Sequence, residues 1–227
     1  MPRLLFEKTG NAVWMSHLDL MRLMQRAFKR ADLPLKHTQG FNPRPSVSIA
    51  LPLSVGVQSK CELLDFELDG QEIPFGDMKE RLNAALVEGV KVLDVYADGR
   101  KIRDLALLDC VLELEYDAGI PDNAQQLLTE LLSLKQLSVE KRGKNGVTQQ
   151  DIIPMIRRFD IAPVNGNTLR LSARICCQNP TLNPAQIAAA IALYLPQCSP
   201  DFVTYTRMEV YDQIGRASCR ERVSPRV

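Results

Sequence analysis

Between Leu18 and Arg30, apolar residues fall at Leu20, Met21, Met24, Ala27 and Phe28, three and four apart, while Arg22, Arg26, Lys29 and Arg30 occupy the opposite side. This period predicts an amphipathic helix with one buried stripe and one cationic face. Ser16 and Asp19 have the spacing of a capping box, which starts the helix after Ser16, and Leu33-Pro34 ends it near Arg30. Before the helix, Leu4–Lys8 reads as a strand, followed by a Gly10-Asn11 turn and Ala12-Val13-Trp14. After it the pattern predicts strands near Val47–Leu53 and Glu62–Leu68, a helix over Pro74–Glu88 and a strand over Val90–Tyr96.

That order, β-α-β-β-α-β, is the split βαβ pattern. The second half repeats it: a strand over Leu105–Tyr116, a helix over Pro121–Leu134, strands at Ser138–Arg142 and Thr168–Cys177 around an insertion carrying Asp151–Phe159, a helix capped by Asn183-Pro184, and a closing strand at Phe202–Tyr211. The predicted fold class is α+β, two tandem ferredoxin-like (βαββαβ) halves with antiparallel sheets, related by duplication. The first half takes residues 1–100 and the second 101–212, with Asp98-Gly99-Arg100-Lys101 between them. Residues 213–227 hold four arginines and no apolar period; they are expected to be a non-native or disordered tail.

The stretch from Leu35 to Val57 begins as a polar loop. Pro43 and Pro45 fix φ and push Asn42 and Arg44 out of the helical region, so the loop is expected to be stiff and extended. It presents Lys36, His37, Gln39, Asn42 and Arg44.

Composition narrows the function classes. Apolar content of 45% and charged content of 24% are those of an ordinary globular protein. No apolar run approaches membrane-span length and no secretory signal is expected, so the chain reads as cytoplasmic, with no membrane partner. The six cysteines show no metal-ligand spacing and read as buried thiols; with two histidines in the chain, no metal site is expected. The formal net charge is +1. Setting the tail aside removes four arginines and one glutamate, leaving 24 basic against 26 acidic residues. Positive charge is nevertheless segregated: Arg22, Arg26, Lys29, Arg30, Lys36 and Arg44 face a single acid, Asp32, over that stretch. Segregation of this kind builds an anion-binding surface. A second cationic group (Lys135, Lys141, Arg142, Lys144, Arg157 and Arg158) surrounds a Gly143–Gly146 turn that lacks P-loop spacing.

Candidate chemistry is sparse. His17 stands just inside a helix N-terminus and His37 beside Lys36, settings that both disfavour the protonated ring. They are the weak catalytic candidates of this chain, and no carboxylate is placed to orient either. The substrate- or anion-binding set is Arg22, Arg26, Lys36, His37, Gln39, Asn42 and Arg44.

The residues Met15-Ser16-His17-Leu18-Asp19-Leu20-Met21-Arg22, Gln25–Ala31, Gly40-Phe41-Asn42-Pro43-Arg44-Pro45 and Leu51–Val57 resemble the radical-SAM-linked family of bacterial domains of unknown function, DUF2344. The resemblance is close over residues 1–70 and looser to about 212. It implies an accessory role beside a radical SAM protein that itself carries an iron–sulfur cluster, S-adenosylmethionine and cobalamin, with no cofactor on this chain. The Gly-Phe-Asn-Pro loop and the repeated halves also resemble CRISPR repeat-processing endonucleases. Three readings follow. One is a non-catalytic accessory module binding RNA or an anionic substrate. The others are a metal-independent RNA endonuclease using a histidine acid/base, and a protein-binding scaffold. The first is preferred, and an enzyme is the less expected outcome.

Overall fold

In the computed structural model, which describes residues 1–70, 73–97, 101–143, 146–213 and 217, alternation along β1 (Arg3–Lys8) seats Leu4 and Phe6 in a core beneath two helices. The chain continues through α1 (His17–Arg30), β2 (Val47–Ile49), β3 (Val57–Phe66), α2 (Phe75–Ala85) and β4 (Val90–Tyr96). β1 pairs antiparallel with β3 and with β4, and β2 pairs antiparallel with β3, which gives the order β4-β1-β3-β2. Leu20, Leu23, Met24, Ala27 and Phe28 of α1 close this core with Leu64, Phe66, Met78 and Leu82. Leu23 occupies a buried position that the predicted stripe gave to Met21, which packs at its margin. The Phe28 and Phe66 rings meet at 5.0 Å and 51°, a tilted geometry that adds about 0.5–1.5 kcal/mol beyond burial. These elements form one compact unit, Met1–Asp104.

The approach to α1 turns at the expected Gly10-Asn11 position and continues as a helical turn. Gly10–Trp14 is a turn of 3-10 helix, and Ser16 then caps α1 by accepting from the Asp19 amide. A buried ammonium explains the turn. Lys8 is almost wholly buried, and its Nζ donates to the carbonyls of Val13 (3.1 Å) and Met15 (3.0 Å). Gly89 supports the same corner: at φ +85, a Cβ there would lie 2.5 Å from the Thr9 carbonyl oxygen.

The second unit, Leu105–Arg216, contains β5 (Leu105–Glu115), α3 (Ala124–Leu132), β6 (Ser138–Gly143), β7 (Gly146–Asp151), β8 (Ile156–Asn165), β9 (Thr168–Cys176), α4 (Pro184–Tyr194) and β10 (Phe202–Asp212). Its sheet runs β10-β5-β9-β8 through antiparallel pairs. Here the expected strand assignment is corrected. Ser138–Arg142 belongs to a separate β6–β7 hairpin, and the place beside β9 goes to β8, all of which lies within the supposed insertion. The hairpin has too little apolar surface to join the sheet, since Val139 is its one buried side chain among the described residues. Asn183 and Gln186 form a reciprocal capping box at α4. The fold is mixed α+β, mostly antiparallel, with four α-helices among the described residues. The proposed 98–101 linker, apart from Lys101, and the 213–227 tail, apart from Gln213 and Ala217, lie outside the described residues.

One face of the second sheet carries a polar cluster. Asp109 on β5 accepts from Arg174 (2.7 and 2.9 Å), Arg158 (3.1 Å) and the Tyr211 hydroxyl (2.7 Å). The Arg174 guanidinium also stacks 3.8 Å from the Tyr211 ring centre. Burial alone would raise the Asp109 carboxyl. The bonds from Arg174 and Tyr211, with the charges of Arg174 and Arg158, outweigh it and hold the carboxyl below its usual range.

Two outcomes are expected from these contacts. Burial lowers the Lys8 ammonium below its ordinary value, with Glu62 offsetting part of that effect. Lys8→Met leaves two carbonyls short of a donor and removes the cation beside Glu62. Denaturant unfolding should register a loss of about 2–4 kcal/mol; a change under 1 kcal/mol would refute this role. Because the folded Asp109 value is depressed, its contribution is full above the unfolded value of about 3.9 and is lost as pH falls through the folded value. Asp109→Asn should therefore lower Tm by about 2–4 °C at pH 7 and by less at about pH 3, below the unfolded value. An equal drop at both pH values would show that the carboxylate charge is not what matters.

Candidate anion-binding site

Seating one stripe of α1 in the core turns Leu18, Arg22, the neighbours Gln25 and Arg26, and Lys29 outward, each three or four residues beyond the one before apart from the adjacent pair. Beyond Arg30 the chain reverses at Asp32, a non-glycine residue at φ 55, where the Leu33 amide donates to the Phe28 carbonyl at 2.9 Å. Leu33 and Leu35 are buried, and this pins the following segment against the helix. Between them lies a depression of about 620 Å³. Arg22, Gln25, Arg26 and Lys29 form its helical side, and Asp32 to Leu35, His37 and Pro45 its other side.

Its charge is mostly uncompensated. Arg22 reaches Asp19 at 3.4 Å, both side chains being largely exposed, an arrangement that contributes little. Arg26 and Lys29 have no carboxylate partner among the described residues. Asp32 is the one acid in the lining. Three cations and an imidazole around one carboxylate suit a phosphate-like or polyanionic ligand, which would add charge-assisted hydrogen bonds from the guanidinium groups.

The loop beyond the depression is held by backbone bonds. Leu35 bridges Leu68 and His37 bridges Pro45. The Lys36 amide donates to the Glu67 carbonyl (2.9 Å), the Ser46 amide to Lys36 (2.7 Å) and the Thr38 amide to Arg44 (2.8 Å). The Arg44 amide donates to Thr38 Oγ1 at 3.0 Å. The result is a narrow projection carrying Gln39, Phe41, Asn42 and Arg44, all exposed. The depression thus brings together Arg22, Arg26 and His37. Gln39, Asn42 and Arg44 stand on the projection outside its lining. Lys36 leans to Glu67, its Nζ 3.1 Å from the carboxylate. His17 begins α1 and does not line the depression, so the two histidines do not share it. Gln25 and Asp32 were not foreseen. Gln25 was legible from its three-residue spacing to Arg22, whereas Asp32 enters only because the chain reverses.

The second cationic group is dispersed over different elements. Lys141 lies on β6 and Arg157 on β8, while Arg158 is engaged by Asp109. Lys144 and the side chain of Arg142 lie outside the described residues. Cys110 borders a smaller cavity of about 340 Å³ with Asp109 and Arg158. Burial, with Asp109 adding to it, pushes its thiol up to about 12, so it is no thiolate nucleophile at neutral pH. No cluster of three or more His, Cys, Asp or Glu side chains suited to a metal occurs among the described residues. No helix among them is long and apolar enough to cross a membrane.

No curated protein matches the sequence. Among the solved structures that match are the following two. A chain from the crystal structure of a Cbf5-Nop10-Gar1 complex has a TM-score of 0.52 and 9% identity, covering 92% of this chain and 48% of its own. This chain therefore spans about half the length of that neighbour, and at such identity the likeness concerns the mixed α+β fold alone. An unknown protein from Galdieria sulphuraria has a TM-score of 0.25 and 12% identity, covering 91% of this chain and 96% of its own. A family model described as "Uncharacterized protein conserved in bacteria (DUF2344)" matches residues 2–184, and the chain belongs to that bacterial family.

Proposed function

We propose that this chain is a non-catalytic binding module that holds RNA through the α1 face and the adjoining loop and presents it to a radical SAM partner in the cytoplasm. The observation that carries the binding role is the depression lined by Arg22, Arg26, Lys29 and His37, with Arg26 and Lys29 lacking a carboxylate partner among the described residues. A solvated charge run would pair its cations along the helix or scatter them. Here they line a concavity flanked by a loop that backbone bonds hold in place. The partner half of the proposal rests on the resemblance of residues 1–70, and any iron–sulfur cluster, S-adenosylmethionine or cobalamin belongs to that partner. We also read the two units as tandem ferredoxin-like halves arising by duplication. What supports this is the shared strand order: the last strand, the first, the third, then the second (β4-β1-β3-β2, and β10-β5-β9-β8 with the β6–β7 hairpin inserted).

The test is a salt titration of RNA affinity. Each phosphate contact releases counterions, so Arg26→Ala should weaken binding to all sequences and reduce the slope of log K against log salt by about one. Lys36→Ala should change the slope less, because Glu67 already neutralises that ammonium. Asn42→Ala should alter sequence preference with little change in slope, since its amide pairs with base edges. Wild-type binding no tighter than to a neutral polymer, or indifferent to salt, would overturn the RNA reading in favour of a protein-binding scaffold. Specific metal-free cleavage abolished by His37→Ala would convert it to an endonuclease.

A further inference from the structure

Phe41 is the most exposed large apolar side chain among the described residues, at 104% of its reference surface. It stands four residues from His37 and four from Pro45, the bridged pair at the base of the loop. Four residues reach at most about 14 Å, so the Phe41 backbone stands within that distance of the His37–Pro45 base, which lines the cationic depression. The projection cannot readily fold back to bury it. Thr38 and Arg44 are cross-linked by two hydrogen bonds, Pro43 and Pro45 stiffen the returning arm, and Gly40 turns at φ +138 with nothing within 4 Å of where a Cβ would stand.

One exposed apolar residue needs no explanation by itself. Phe41 differs in its surroundings. Its ring is wholly exposed, the amide residues Gln39 and Asn42 and the cation Arg44 lie on the same projection, and the α1 cations line the depression at the loop's base. Stacking rings, base-reading amides and phosphate-binding cations are the parts from which single-strand nucleic-acid sites are assembled. We infer that Phe41 is a stacking platform for an unpaired base, so that the ligand is single-stranded RNA with its phosphates along Arg22, Arg26 and Lys29. This rests on the RNA reading above and narrows it. A duplex keeps its bases stacked on one another and offers Phe41 no free face.

The experiment compares the full-length chain with Phe41→Ala, Phe41→Trp and Arg26→Ala. Each is titrated with a short single-stranded RNA carrying 2-aminopurine and with its duplex, at several salt concentrations. Phe41 buries no surface, so its variants should keep the wild-type Tm. Wild type should favour the single strand and quench the 2-aminopurine. Phe41→Ala should lose about 5–100-fold in single-strand affinity and the quenching, with the salt slope and duplex binding unchanged. Phe41→Trp should retain both. Arg26→Ala should instead reduce the slope for either ligand. If Phe41→Ala binds the single strand as wild type does while Arg26→Ala is weakened, stacking is refuted and the RNA surface stands. If wild type binds neither RNA, both fall together.

Discussion

Burial of five α1 side chains, Leu20, Leu23, Met24, Ala27 and Phe28, against β1 and β3 is the constraint from which the rest of the first unit follows. Each contributes about 1.5–3 kcal/mol for the larger residues, while like-charge neighbours three and four apart on the outer face cost only a few tenths each. Burial wins by a wide margin. The helix is therefore fixed in rotation, and Arg22, Arg26 and Lys29 are held in a row facing outward although they repel one another. That stored repulsion is what an anionic ligand would relieve. Lys8 plays the matching part at the other end: its buried ammonium ties down the turn before Ser16 and so fixes where the helix begins.

The loop after α1 owes its shape less to its prolines than to the sheet. Leu35 and Lys36 run beside Glu67 and Leu68 just past the end of β3, and the ladder closes again at Ser46. The intervening residues must then leave the sheet and return within a short span, which makes a projection instead of a surface-hugging strap. The same geometry sets the roles of the cations. Lys36 lies next to Glu67 and is neutralised, whereas Arg44, across from Thr38, stays exposed.

The second unit reaches the same strand order with a different strand. Ser138–Gly143 is strand-like in its local preference, but Val139 is its one buried side chain among the described residues, and it pairs with Gly146–Asp151 outside the main sheet. β8 supplies Ile161 as a buried contact and Arg158 as a ligand of Asp109. This takes Arg158 out of any anion-binding group. A charge counted along the sequence is thus a candidate only until its partner in space is known.

How much was legible follows from the range of the forces involved. The α1 stripe, the Ser16 and Asn183 caps, the strand character of β1, β5 and β10 and the clustering of Arg22, Arg26 and Lys29 all arise from residues close together in the chain, and local pattern exposes them directly. The position of β8, the pairing of Lys36 with Glu67, the capture of Arg158 by Asp109 49 residues away and the separation of His17 from His37 all depend on contacts between distant segments. Sequence spacing carries no information about those distances. The cationic helix face was therefore determined by the sequence alone, and the concavity that makes it a candidate site was decided by the reversal at Asp32 and the anchoring of Leu33 and Leu35 in the core. Those are tertiary contacts, because only packing against β3 and α1 selects that path among the many a polar, proline-containing loop could take.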